Sequence, residues 1–129
     1  DDEGFYEDDK ISLAFRRLSI IDLSNGHQPM FNEDSSMVIL FNGEIYNYQE
    51  LKEDLMAKGH VFANNSDTET ILHGYEEYGQ EITKKLRGMF AFVIWDIKNK
   101  VLFGARDNFG IKPFYYYTLR FNHLKICFL

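Results

Sequence analysis

Residues 89–95, Met-Phe-Ala-Phe-Val-Ile-Trp, constrain this chain more than any other stretch. A strand with one wet face alternates apolar and polar side chains, and this run does not alternate. It is far shorter than the ~20 residues that span a bilayer. Protein must therefore cover it on both faces. Met37 to Phe41 (MVILF) carries the same signature and is too continuous and β-branched for a one-faced strand. Two such strands demand layers above and below a sheet. After Trp95, the polar segment from Asp96 to Lys100 connects to VLFGARD, which predicts a hairpin, and KPFYYY is a final strand candidate.

Ile11, Leu13 and Phe15 alternate with Ser12, Ala14 and Arg16, a period of two that puts one strand face on a core. One step further, the alternation turns Arg17 inward. A guanidinium on an apolar face is costly unless an anion meets it, so this reading implies a buried carboxylate from the protein or a ligand. The alternative is a bend at Arg16-Arg17 that releases both side chains to water. Residues 24–34 (SNGHQPMFNED) read as loop, with Asn25-Gly26 and Pro29 as breakers, and Asn42-Gly43 is expected to end the strand begun at Met37.

Asn47 followed by Glu50 is a capping-box pattern, and Leu51, Leu55 and Ala57 supply an apolar side before Gly59, which predicts a helix over about 48–58. Ser66-Asp-Thr-Glu69 repeats the signal, with Ser66 as cap and Glu69 reaching back. Ile71, Leu72, Tyr75 and Tyr78 then recur at helical spacing and predict a helix over 67–78. Asp67 falls in its first turn, pointing off the end. A short helical turn is expected around Glu81 to Leu86. Two helices inserted among clustered strands predict an α+β fold with helices covering packed antiparallel sheets.

With 129 residues and 45% hydrophobic content, the chain can bury one core, so one domain is expected. A formal charge of -6 and singly scattered lysines argue against nucleic acid or membrane as partners. Without a spanning run or a signal peptide, a cytoplasmic setting is expected. Cys127 is the single cysteine, which excludes an internal disulfide and a multi-cysteine metal site, and no metal is expected.

Three polar features stand near strand or helix ends: Arg17, the Asn42-Gly43-Glu44 segment and Asp67. Together they suit a zwitterionic ligand. Arg17 could hold a carboxylate in a forked contact and Asp67 an ammonium. An Asn amide beside a Gly backbone N–H could aim two donors at one developing oxyanion, as acyl transfer requires. Each also has a structural reading: Asn-Gly as a hairpin turn, Asp67 as a complement to the helix dipole, and Glu44 as a solvated loop charge.

The motifs RRLSIIDLSNGHQPM, FNGEIYNY, SDTE, LRGMFAFVIWD and GARDNFGIKPFYYY, collinear from about Gly4 to Tyr117, resemble the glutamine amidotransferase domain of glutamine-dependent asparagine synthetases, a class II family of N-terminal-nucleophile hydrolases. The resemblance implies a four-layer αββα fold, incomplete at its N-terminal strand, over residues 1–117, with a divergent tail at 118–129. It implies a glutaminase that releases ammonia from glutamine for asparagine biosynthesis. By the same resemblance Arg17 binds the glutamine α-carboxylate, and Leu18, Ser19, Ile20 and Ile21 line that stretch through backbone contacts. Asn42 and Gly43 form the oxyanion hole, Glu44 contacts substrate, and Asp67 partners the α-amine. No cofactor is implied for this domain; ATP and magnesium belong to the synthetase half.

Family members open with a cysteine whose thiol attacks the glutamine amide while its own free α-amine acts as base. The match here begins at DDEGFY, and both ends of the chain read as cuts, so that nucleophile and the synthetase half are expected to be absent and the chain inactive alone. Cys127 is internal and has no free α-amine, which fits a small buried apolar residue or part of a frayed end. KICFL could instead fill the vacated strand position; an unfilled sheet edge would favour self-association. The alternative function is a non-catalytic module that keeps Arg17, Asn42 and Asp67 to bind glutamine or glutamate.

Overall fold

A computed structural model describes residues 2–17, 26–118 and 125–128, with side chains described for 3–16 and 26–115. The order is β1 (Asp2–Glu7), β2 (Ser12–Arg17), β3 (Met30–Phe31), β4 (Met37–Ile45), α1 (Tyr48–Ala57), α2 (Asp67–Tyr78), a 3-10 turn (Gly79–Lys84), β5 (Gly88–Asp96), β6 (Val101–Arg106), β7 (Tyr115–Thr118) and β8 (Lys125–Phe128). β3-β4-β5-β6 form one sheet, and β1-β2 and β7-β8 form two further ladders. Every described pairing is antiparallel, as the α+β expectation requires.

The two apolar runs are the sheet's central strands, in register from Met37↔Asp96 to Ile45↔Gly88. Their faces divide by parity. Ile39, Phe41, Phe90, Phe92 and Ile94 join Leu51, Ile71, Leu72 and Ile82 in a core beneath the helices. Val38, Leu40, Val93 and Trp95 turn the other way and pack with Leu13, Tyr6, Ile11 and Phe15 of the β1–β2 hairpin region. Helices, sheet and hairpin make three of the four expected layers; a second helical layer is not among the described residues.

Asp8 fixes the hairpin over the sheet. Burial raises its pKa, but the Tyr6 hydroxyl, the Lys10 N–H, the Trp95 Nε1–H and the Ile11 N–H donate to it and hold the carboxyl well below the usual range. The Trp95 bond, at 2.8 Å, crosses from the hairpin turn to β5. β2 continues through Arg17 without a bend at Arg16-Arg17, and Arg17 lies opposite Asp2.

Several local expectations give way to tertiary structure. The acidic opening, for which the sequence reading predicts no element, is β1, and pairing with β2 fixes it despite its charge. Met30-Phe31, inside the expected loop, pairs with Ile39 and Val38. The helices fall at 48–57 and 67–78 against expected spans of 48–58 and 67–78. Asn47 makes no side-chain cap; it donates to the Lys85 carbonyl at 2.9 Å and accepts from the Arg87 N–H at 2.9 Å, tying α1 to the approach of β5. Ser66 does cap α2, accepting from the Glu69 N–H at 3.2 Å. The Glu69 carboxylate reaches Ala63 and Asn64 instead of returning to Ser66. The hairpin at Asp96–Lys100 forms, with Asp96 accepting from the Asn99 backbone and side chain at 2.8 and 2.7 Å. β8, in the expected tail, pairs with β7.

Candidate functional site

The Asn42-Gly43 pair does not end its strand. β4 runs on to Ile45, with Asn42 opposite Ala91, Gly43 opposite Phe90 and Glu44 opposite Met89. A turn at Asn-Gly would forfeit that half of the ladder, and the long partner β5 outweighs the local preference. Glycine is required for a second reason. Gly43 has φ +145, and a Cβ there would meet the Met89 carbonyl oxygen at 2.1 Å, so the backbones approach too closely for any side chain. The hairpin-turn reading of this pair is therefore replaced by a mid-strand one.

The direction of the Gly43 amide follows from its neighbours. Phe90 gives both backbone groups to Asp107: the Asp107 N–H donates to the Phe90 carbonyl at 2.8 Å, and the Phe90 N–H donates to Asp107 Oδ2 at 3.2 Å. In an antiparallel strand the N–H and C=O of one residue share an edge. Phe90 thus has no ladder bond to Gly43, and the Gly43 amide faces the opposite edge of β4. On that edge the Phe41 N–H and C=O are bound by the Gln28 side chain at 2.7 and 3.0 Å, and the Ile45 N–H donates to Asp67 Oδ2 at 3.0 Å. Gly43 lies between them, with its N–H turned to that same edge.

Asp67 is thereby more than a helix-dipole complement. As the first residue of α2 it fastens that helix to the end of β4. Burial raises its pKa; hydrogen bonds from the Ile45 and Thr68 N–H groups and its own offset part of the effect, and the Glu44 charge raises it again. Neither Asp67 nor Glu44 has an ion-pair partner among the described residues. Two neighbouring carboxylates in that condition attract a cation, and an ammonium fits. By parity Asn42 and Glu44 project from the hairpin-side face of β4, the face of Val38 and Leu40.

The structure brings Asn42, Gly43, Glu44 and Asp67 together around the end of one strand. Arg17 closes β2, but its side chain, and Leu18, Ser19, Ile20 and Ile21 altogether, lie outside the described residues. The Cys127 backbone belongs to β8. Two supporting residues were not legible in the sequence. Gln28, 5% exposed, stands in for a strand at Phe41. Asp107, 4% exposed, accepts from the N–H groups of Phe90, Phe109, Ile111 and Lys112. Burial raises its pKa, but those four donors outweigh it and hold the carboxyl at about 2. The signals for Asp107 were its place before a Gly-containing turn and inside the motif GARDNFGIKPFYYY, neither of which gives its role.

The sequence matches the family of glutamine amidotransferase domains over residues 1–127. Asparagine synthetase [glutamine-hydrolyzing] 1 of Bacillus subtilis is 56% identical over 119 residues, which cover 92% of this chain and 19% of that protein. Asparagine synthetase [glutamine-hydrolyzing] 2 of Oryza sativa subsp. japonica is 52% identical over 103 residues, 80% of this chain and 17% of that one. The chain thus spans about a fifth of the length of these curated relatives. Among solved structures, glutamine phosphoribosylpyrophosphate amidotransferase from B. subtilis, complexed with ADP and GMP, superposes with a TM-score of 0.59 at 24% identity, covering 75% of this chain and 23% of that one. A structure described as the allosteric regulatory enzyme of purine biosynthesis gives 0.58 at 27% identity, covering 72% and 22%. These likenesses establish the N-terminal-nucleophile hydrolase fold.

Proposed function

Because this chain belongs to the glutamine amidotransferase domain family, we propose that it supplies the glutamine pocket and oxyanion hole of a glutaminase domain whose ammonia serves asparagine synthesis. One observation carries the reading: Asp67 grips the Ile45 N–H at 3.0 Å, which sets a carboxylate beside a strand end that also bears Asn42, Gly43 and Glu44. In this reading the α-ammonium of glutamine lies against Asp67 with Glu44 nearby, and Arg17 takes the α-carboxylate in a forked contact. The side-chain amide then reaches the edge of β4. A thiolate attacking its carbonyl carbon drives the carbonyl oxygen to an oxyanion, which the Asn42 side-chain N–H and the Gly43 backbone N–H receive. Collapse of that adduct, with the thiol's proton returned by its base to the amide nitrogen, expels ammonia and leaves a glutamyl thioester, which water cleaves to glutamate.

Cys127 is not assigned the attack, since its nitrogen is a peptide nitrogen in β8 and cannot serve as the base. The 129-residue chain incubated alone with glutamine is therefore expected to release no ammonia, which a coupled ammonia assay reads directly.

Calorimetry with glutamine tests the pocket. Asp67→Asn keeps an acceptor for Ile45 but removes the charge, and it should weaken binding at least tenfold, as should Arg17→Ala. Asn42→Ala should leave ground-state affinity almost unchanged, because an oxyanion donor acts mainly on the transition state. The reading fails if glutamine does not bind, or if Arg17→Ala and Asp67→Asn bind it as the parent does.

A further inference from the structure

A second polar cluster lies on α2, away from the strand end that bears Gly43. His73, 1% exposed, has Glu69 one turn before it and Glu76 and Glu77 one turn after, and His60 meets them from the connection between the helices. His73 Nδ1 is 2.7 Å from Glu76 Oε2, His60 Nδ1 is 3.7 Å from the same oxygen, and the donor atoms of the three residues lie within 4.8 Å of one another. We propose that His60, His73 and Glu76 form a binding site for a divalent transition-metal ion of the zinc type.

Two imidazoles and one carboxylate are a donor set that zinc accepts. Tetrahedral zinc with bonds of about 2.0–2.1 Å places neighbouring donors about 3.4 Å apart. The distances of 2.7 and 3.7 Å straddle that value, and the widest donor separation, at most 4.8 Å, closes onto the ion by side-chain rotation. The surroundings are those of a metal site as well. Each ring that offers Nδ1 has carboxylates at its other nitrogen: His60 Nε2 is 3.1 Å from Glu77, and His73 Nε2 is 3.7 Å from Glu69 and 4.0 Å from Glu33. The Glu77 hydrogen bond orients His60 as a ligand and raises its basicity, whereas Glu69 and Glu33 lie beyond hydrogen-bond reach of His73 Nε2 and act on it through charge. Glu76 is prepared in the same way, since Asn32 Nδ2 donates to Oε1 at 2.6 Å and leaves Oε2 to the ion. The His60 and Glu76 side chains retain 17% and 24% exposure, so solvent can fill a fourth position. The ion would pin the α1–α2 connection onto α2, independently of glutamine.

The test uses the full chain, stripped with a chelator and titrated calorimetrically with zinc chloride. One equivalent should bind saturably. His60→Ala and Glu76→Gln, both at partly exposed positions and checked for fold by circular dichroism, should each weaken binding at least tenfold, whereas His27→Ala should not change it. Absence of saturable binding, or parent-like binding by both His60→Ala and Glu76→Gln, would overturn the proposal.

Discussion

The central sheet has two unlike faces. Beneath α1 and α2, residues from β3, β4, β5, both helices and the 3-10 turn interlock in one closed apolar cluster. Against the β1–β2 hairpin the cluster is smaller, and along β4 it gives way from Val38 and Leu40 to Asn42 and Glu44. One face is continuous and stabilising. The other is interrupted where the polar residues project, so packing there must fix the pocket as well as the fold.

Substitutions can separate the two roles. Phe92→Ala on the helix side should have the largest effect, a loss of about 3–5 kcal/mol in urea denaturation, while glutamine affinity of the folded fraction is retained. Gln28→Ala strands the Phe41 N–H and C=O at the sheet edge and should cost roughly 1–3 kcal/mol. Val93→Ala on the hairpin face should cost about 2 kcal/mol. It should also weaken glutamine binding, because Val93 lies opposite Leu40, two residues from Asn42. Equal losses of affinity in Phe92→Ala and Val93→Ala would erase the distinction between the faces. Asn47→Ala, which removes the tie to Lys85 and Arg87, should cost about 1 kcal/mol.

The last signal is confined to acid. The Asp107 carboxyl is depressed in the folded state, from 3.8 to about 2, so its contribution is fully present above 3.8 and is lost as pH falls through about 2. Asp107→Asn, with one oxygen in place of two, should destabilise the protein at neutral pH, and the gap from the parent should narrow between those values. A gap that stays constant down to pH 2 would mean that the four N–H bonds do not depend on the charge.

How far each element could be read depended on where its partners lie in the chain. The doubly covered strands were legible because an unbroken apolar run has no surface solution. Both helices were legible from periodicity, and Ser66 from its cap pattern, since those contacts span three or four residues. Asn42-Gly43 and Asn47 were misread for the opposite reason. The first is held by β5 and the second by residues 85 and 87, and neither partner is local. Gln28 left almost no trace because what it binds is backbone 13 positions away, and Asp107 because all four of its donors, three of them only two to five positions on, are amides, which carry no sequence signature.

The sequence by itself determined the layering, the helix spans, the resemblance and the candidate residues Arg17, Asn42, Gly43, Glu44 and Asp67. Tertiary structure alone decided that Asn42 and Gly43 lie in mid-strand, that the Gly43 amide faces the edge between Gln28 and Asp67, and that His60 meets His73 and Glu76. The physical reason is common to all three. Composition and period fix which face of an element is buried, whereas the direction of a single donor depends on which distant segment has taken its neighbours' hydrogen bonds.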